Sequence, residues 1–173
     1  MSHTTFLDDT TYARAIESFV VVTTDAIIVE RSQQAVWLAR RCVKPFPDWW
    51  IIGGRLCAGE DEREGMRRSF ARETGLMVAP GRFRLISFKR YLHSEREQKP
   101  QNTGSDCLSY TFSIELTPEE RAMASQKLHP SEYDAALGLR EFNREEILHE
   151  FAGREGAQSA ALLDMYDEIF SRT

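Results

Sequence analysis

The sequence predicts an α/β fold, an α/β/α sandwich around a mixed sheet. Three observations lead there. Residues 19–30 (FVVVTTDAIIVE) are rich in β-branched residues, as a strand requires. Residues 61–74 carry a helical pattern with Met66 and Phe70 one turn apart as a core stripe, and Gly75 follows as a natural helix end. Further strand-like runs come next and helices close the chain, an order that stacks helices on a sheet.

The opening segment, about residues 10–18 (TTYARAIES), reads as a short helix with Thr10 or Thr11 as N-cap. After the first strand, Ser32-Gln33-Gln34 supplies a polar turn and residues 35–42 (AVWLARRC) return as a strand. Pro45 and Pro47 break regular structure, and residues 49–52 form a short apolar strand running into Gly53-Gly54. Residues 83–92 and 107–116 read as two more strands, separated by a polar loop over 94–106. Thr117 caps a helix with Pro118 at its first position, and Asn143 repeats that logic for 144–151. Residues 154–171 form an amphipathic terminal helix.

At 173 residues, with no repeat and no linker, the chain reads as one domain over 1–173. Hydrophobic residues make up 42% and charged residues 28%, the balance of a soluble globular protein. The net charge of -5 argues against nucleic acid as a partner, since phosphate neutralisation needs a basic surface. It leaves room for a small phosphorylated ligand held by a few local arginines. Cys42, Cys57 and Cys107 have neither disulfide nor zinc spacing and read as reduced thiols. The N-terminus lacks the pattern of a signal peptide and no run is long enough to span a membrane, so a cytoplasmic protein without a membrane partner is expected.

The segment from Gly53 to Leu76 (GGRLCAGEDEREGMRRSFARETGL) carries the chemistry. Gly54, Glu60, Arg68, Phe70, Glu73, Gly75 and Leu76 fall at the spacings of the Nudix box, and the segment (54–76) resembles that box. Two acids are replaced: Ser69 and Arg72 stand where the box has glutamates. The box exists to gather metal ions beside a diphosphate, because carboxylates at i, i+3 and i+4 share one helical face. Here Glu73 alone remains, which suits one Mg²⁺ (or Mn²⁺) rather than a cluster. Arg72 would oppose a metal at its corner yet could meet a phosphate itself, or lie solvated at the surface. In the family pattern Glu60 and Arg68 form a structural ion pair.

Among Nudix proteins the chain most resembles the GDP-mannose mannosyl hydrolase branch, which also lacks the first two helical acids. The shared features are Asp25 in the first long strand, Arg40 in the second, Trp49-Trp50 before Gly53-Gly54-Arg55, and Tyr110 after the GSD segment. The resemblance implies a Mg²⁺-dependent hydrolase of a nucleoside diphosphate sugar, GDP-mannose or GDP-glucose in type, with water attacking the sugar C1. It implies a metal held by the Gly53 carbonyl and Glu73, a diphosphate held by Arg40 and Arg55 with Arg72 nearby, and Asp25 and Tyr110 among the catalytic residues. The branch's late loop supplies a metal ligand and a general base; here that stretch is His129-Pro130-Ser131-Glu132-Tyr133. Either His129 is the base and Glu132 a ligand, or both are ordinary loop residues. A homodimer is a further expectation of the resemblance. Two rivals remain: a degenerate domain that binds a nucleotide without hydrolysis, and a pyrophosphohydrolase using Glu62 or Glu64, which read more simply as first-turn acids favoured by the helix dipole.

Overall fold

The structure, a computed structural model, describes residues 7–152 and 157–171. Helix α1 spans Asp9–Ser18, and its cap is Asp8 rather than Thr10 or Thr11: the Asp8 carboxylate accepts the N–H groups of both threonines. Strand β1 (Val21–Glu30) ends in a 3-10 turn, Arg31–Gln33, closed by Gln34 in the left-handed conformation at φ 49°. Strand β2 (Ala35–Arg40) returns antiparallel to it. The apolar run before the glycines divides into β3 (Trp49–Trp50), which pairs with β2, and β4 (Ile52–Arg55), which pairs with β1.

Helix α2 (Glu62–Thr74) is capped by Asp61 and ends at Gly75. Gly75 lies at φ 70°, where a side chain would be strained. Strands β5 (Arg84–His93) and β6 (Ser105–Glu115) form a long hairpin, and β6 runs parallel to β1. Capping boxes open α3 (Pro118–Gln126) and α4 (Arg144–Glu150), as Thr117 and Asn143 foretold. Strand β7 (Leu139–Phe142) was not anticipated: four residues are too short to show a period, and pairing with β2 creates it. Helix α5 (Ala157–Phe170) is the terminal helix; residues 154–156 of the expected helix lie outside the described residues.

The mixed sheet of seven strands has the path β3-β2-β1-β6-β5, with β4 beside β1 and β7 beside β2. It separates two cores. On one face Met66 and Phe70 of α2 and Ala124 of α3 pack with Ala26, Ile28, Phe112 and Ile114. Phe70 meets Phe83 edge-to-face at 5.6 Å. On the other face Ile147 of α4 and Phe151 just after it, with Leu162, Met165 and Ile169 of α5, cover Ile27, Val29, Val36 and Leu38. Residues 26–29 of β1 alternate between the cores, which is why that stretch is continuously apolar. Among the described residues no helix is long and apolar enough to cross a membrane.

Candidate functional site

A cavity of about 320 Å³ opens where β4 leaves the end of β1, walled by α1, the β5–β6 hairpin and the segment after β2. Five cationic side chains line it, Arg41, Lys44, Arg55, Arg68 and Arg72, against three acids, Asp25, Glu97 and Glu132. This local excess of positive charge in a chain of net -5 favours an anionic ligand. Phe46, Trp50, Tyr91 and His93 add a wall of rings. Phe46 stands 4.6 Å from Trp50 and 5.0 Å from His93, and Tyr91 stacks on His93 at 6.4 Å.

The loop into α2 is held by a bidentate pair: Arg68 donates to the two Glu60 oxygens at 2.6 and 2.8 Å. The same guanidinium reaches the Arg55 carbonyl at 2.8 Å, while Glu60 accepts the Cys57 N–H at 2.8 Å. Arg68 holds the Glu60 carboxyl below its usual range. This is the structural role that the family pattern assigns to the pair. Arg55 extends over the Tyr12 ring at 4.1 Å, so α1 carries one side of the cavity.

Asp25 lies on the cavity floor with Thr23 donating to it at 2.8 Å and Ser109 at 2.5 Å. Burial pushes its carboxyl up, against the opposing pull of Ser109, Thr23 and Arg41. Gly53 runs so close to Asp25 that a Cβ there would overlap the carboxylate. A Cβ on Gly54 would meet the Ser69 hydroxyl at 2.8 Å and the Arg72 guanidinium at 3.3 Å. Gly53 therefore lets β4 press against β1, and Gly54 lets it press against the polar face of α2.

On that face Glu73 is only 1% exposed. Arg72 clasps its Oε1, donating through Nε at 2.7 Å and through Nη2. Among the described residues its Oε2 has no hydrogen-bond partner, and neither has the buried Ser69 hydroxyl. Burial raises the Glu73 carboxyl, Arg72 opposes this, and Glu132 raises it further. An unpartnered buried carboxylate oxygen beside a second carboxylate fits one hard cation. Among the described residues no group of three or more His, Cys, Asp or Glu forms a metal cluster. With Ser69 and Arg72 in place, the face suits a single ion.

Several expected residues lie elsewhere. Arg40 is not in the cavity; its neighbour Arg41 is. An ungapped count back from the glycines selects Arg40, but a shift of one residue along a strand reverses the face. Arg41 approaches Glu132 at 3.5 Å, and its buried Nε has no hydrogen-bond partner among the described residues. Tyr110 also points away: Cys107, Ser109 and Thr111 line the cavity, whereas Tyr110 faces Phe88 at 4.4 Å and Glu62 of α2. His129 is outside the lining as well. Its N–H donates to the Glu73 carbonyl at 2.9 Å and its ring meets the Ser131 hydroxyl at 2.8 Å. Those bonds, with Cys42 N–H to the Glu132 carbonyl at 2.8 Å, bring the late loop along the end of β2. Thus Glu132 reaches the cavity and His129 does not. Glu62 and Glu64 are likewise absent from the lining, and Glu64 pairs with Arg67 at 2.7 Å.

Asp25, Gly53, Arg55, Arg72 and Glu132 do line the cavity, with Glu73 directly behind Arg72. Sequence reasoning missed Arg41, Tyr91, His93 and Glu97. Alternation along β5 gave the available signal, since Tyr91 and His93 share a face. His93 is half-buried, and burial with the nearby Arg41 holds its imidazole below the usual range.

The family model described as NUDIX domain matches residues 21–161. Among solved structures, the chain is similar to the MutT protein of Methanosarcina mazei Go1, at 18% identity and a TM-score of 0.59, over 88% of this chain and 94% of that one. It is similar to the MutT NUDIX hydrolase of Burkholderia pseudomallei, at 15% identity and 0.62, over 86% and 98%. It is also similar to the Ap4A hydrolase of C. elegans, at 10% identity and 0.52, over 89% and 98%. At these identities the likeness concerns the fold. No match was found among curated proteins. Nudix hydrolases generally use divalent metals such as Mg²⁺. The matched family model spans most of the sequence, including the box and most of the cavity lining, and the chain belongs to the NUDIX family.

Proposed function

We propose that the cavity binds a nucleoside diphosphate sugar and that the protein hydrolyses it by attack of water at the sugar C1. The observation behind this reading is Arg41, half-buried at the cavity with a buried Nε–H that no atom of the described residues accepts, among four further cations. Such a donor calls for an anionic acceptor. Arg41 and Arg55 bind the diphosphate, and the wall of Phe46, Trp50 and His93 receives a flat ring. Glu73 through Oε2, the Gly53 carbonyl and Glu132 would hold one Mg²⁺ or Mn²⁺, which when bound supplies positive charge to the diphosphate.

Attack at carbon suits a box stripped of two acids, because no cluster is then required to make a nucleophile at phosphorus. In this reading Asp25, which lines the cavity, receives the proton of the water. As the water oxygen bonds to C1, the bond from C1 to the phosphate oxygen breaks, and the electron pair leaves with the diphosphate toward the arginines. Thr23 and Ser109 orient the Asp25 carboxylate for this role.

Incubation with GDP-mannose and GDP-glucose in Mg²⁺, followed by ³¹P NMR, tests the proposal. GDP and free sugar are expected. Sugar phosphate with GMP would transfer the reaction to phosphorus. A second reading, binding without turnover, is favoured by one observation, the Arg72 guanidinium on Glu73 Oε1. Tight binding with no product in either metal would select it.

A further inference from the structure

The β5–β6 connection is built around Arg96, the largest of the fully buried side chains, at 2% exposure. Its Nε donates to the Gln98 carbonyl at 3.1 Å and its Nη2 to the Lys99 carbonyl at 3.3 Å. Toward α1, Nη1 reaches the Ala13 carbonyl at 3.3 Å and Nη2 the Glu17 carboxylate at 2.6 Å. The Arg96 N–H donates to the Gln101 carbonyl at 3.1 Å, and the Gln101 side-chain amide donates to the Glu97 carbonyl at 2.9 Å. A guanidinium presents its donors in a fixed planar fork, so it holds four acceptors from two segments in one arrangement. A Cβ on Gly104 would run into the His93 carbonyl, so the loop closes tightly on its own start.

Both segments that Arg96 joins are cavity walls. Glu97 and Gln98 follow it directly, and Tyr12 and Ile16 share α1 with Ala13 and Glu17. The cations suited to a diphosphate belong to other elements: Arg41 follows β2, Arg55 ends β4, Arg72 is on α2. The loop contributes no cation: its carboxylate accepts from hydroxyls and ring N–H groups and repels a phosphate, and its carboxamide both donates and accepts.

We propose that Arg96 is a positioning residue that fastens residues 94–104 to α1 and thereby sets the Glu97–Gln98 wall, which selects the uncharged hydroxyl- and ring-bearing part of the ligand. This rests on the nucleotide-sugar reading of the cavity. Glu97 puts a carboxyl on this wall, and a carboxylate there discriminates against added negative charge in the part of the ligand that meets it.

Calorimetric titration with pyrophosphate and with GDP-mannose, on wild type, Arg96→Lys, Glu17→Gln and the double variant, tests the proposal. Hydrogen exchange of amides 12–17 and 94–104 is followed on the same samples. Arg96→Lys should leave pyrophosphate affinity within about twofold while weakening GDP-mannose at least tenfold, with faster exchange in both segments. Glu17, at the exposed end of the contact, should give a smaller effect in the same direction, and the double variant should be no worse than Arg96→Lys alone. Equal loss for both ligands, or unchanged GDP-mannose affinity, would overturn the selective wall. Unchanged exchange would overturn the fastening. A wild type that binds pyrophosphate but no nucleotide sugar would sink the functional reading instead, and the fastening would then stand or fall on exchange alone.

Discussion

Replacing Arg72 by Ala leaves the Glu73 carboxylate buried with no donor on either oxygen, since Arg72 is the partner of Oε1 and Oε2 has none. Breaking a fully buried pair costs about 3–5 kcal/mol. Arg72 itself is 48% exposed, so water enters the space it vacates and the cost falls to about 1–2 kcal/mol. For a protein of this length that lowers Tm by roughly 2–8 °C. The double variant R72A/E73Q removes the charge as well and should recover most of the loss. With Arg72 absent, both Glu73 oxygens are free for a cation. Mg²⁺ at ten times its Kd should then stabilise R72A by about 1.4 kcal/mol, with a smaller gain for wild type. Thermal unfolding by circular dichroism, in chelator and in a Mg²⁺ series, reads both effects. An unchanged Tm for R72A in chelator would refute the clasp, and an absent Mg²⁺ response in R72A would refute Glu73 as a metal ligand.

The neighbouring arginines should separate by face: Arg41→Met should weaken nucleotide binding at least tenfold, and Arg40→Met should leave it within about twofold by calorimetry. Gly53→Ala should cost more than about 2 kcal/mol in urea unfolding, because its Cβ would overlap Asp25; a neutral result would mean that β4 does not press on β1 there. Arg82 donates to both Glu120 oxygens at 2.6 and 2.8 Å and lowers that carboxyl from 4.5 to about 2. The pair therefore stabilises the fold above about pH 4.5, and this contribution is lost as pH falls toward 2. Nominally this is about 3.4 kcal/mol, but both side chains are about a third exposed and screening leaves about 1–2 kcal/mol. Glu120→Gln should narrow toward wild type in stability between pH 6 and pH 3; a gap independent of pH would refute the assignment.

Local rules made most of the fold legible. Thr117 and Asn143 cap their helices, Gly75 ends α2, and a β-branched run marks β1. The box likewise gave the Glu60–Arg68 pair and the position of Glu73 beside the cavity. Strand β7 escaped because its partner, β2, lies about a hundred residues earlier in sequence. The site was legible only where position does not depend on phase. Arg40 and Tyr110 each stand one residue from a lining side chain, and in a strand that single step exchanges one face for the other. His129 and Glu132 share a loop whose path is set by hydrogen bonds to α2 and β2, which no local pattern records. Arg96 stands in a polar loop of the sequence with nothing local to single it out, and only the fold shows Ala13 and Glu17 around it.

Attack at C1 is tested most directly by turnover of GDP-mannose in H₂¹⁸O with Mg²⁺. Mass spectrometry of products quenched at early times should find ¹⁸O in the released sugar and none in GDP. Label in a phosphate, with GMP and sugar phosphate as products, would contradict the account.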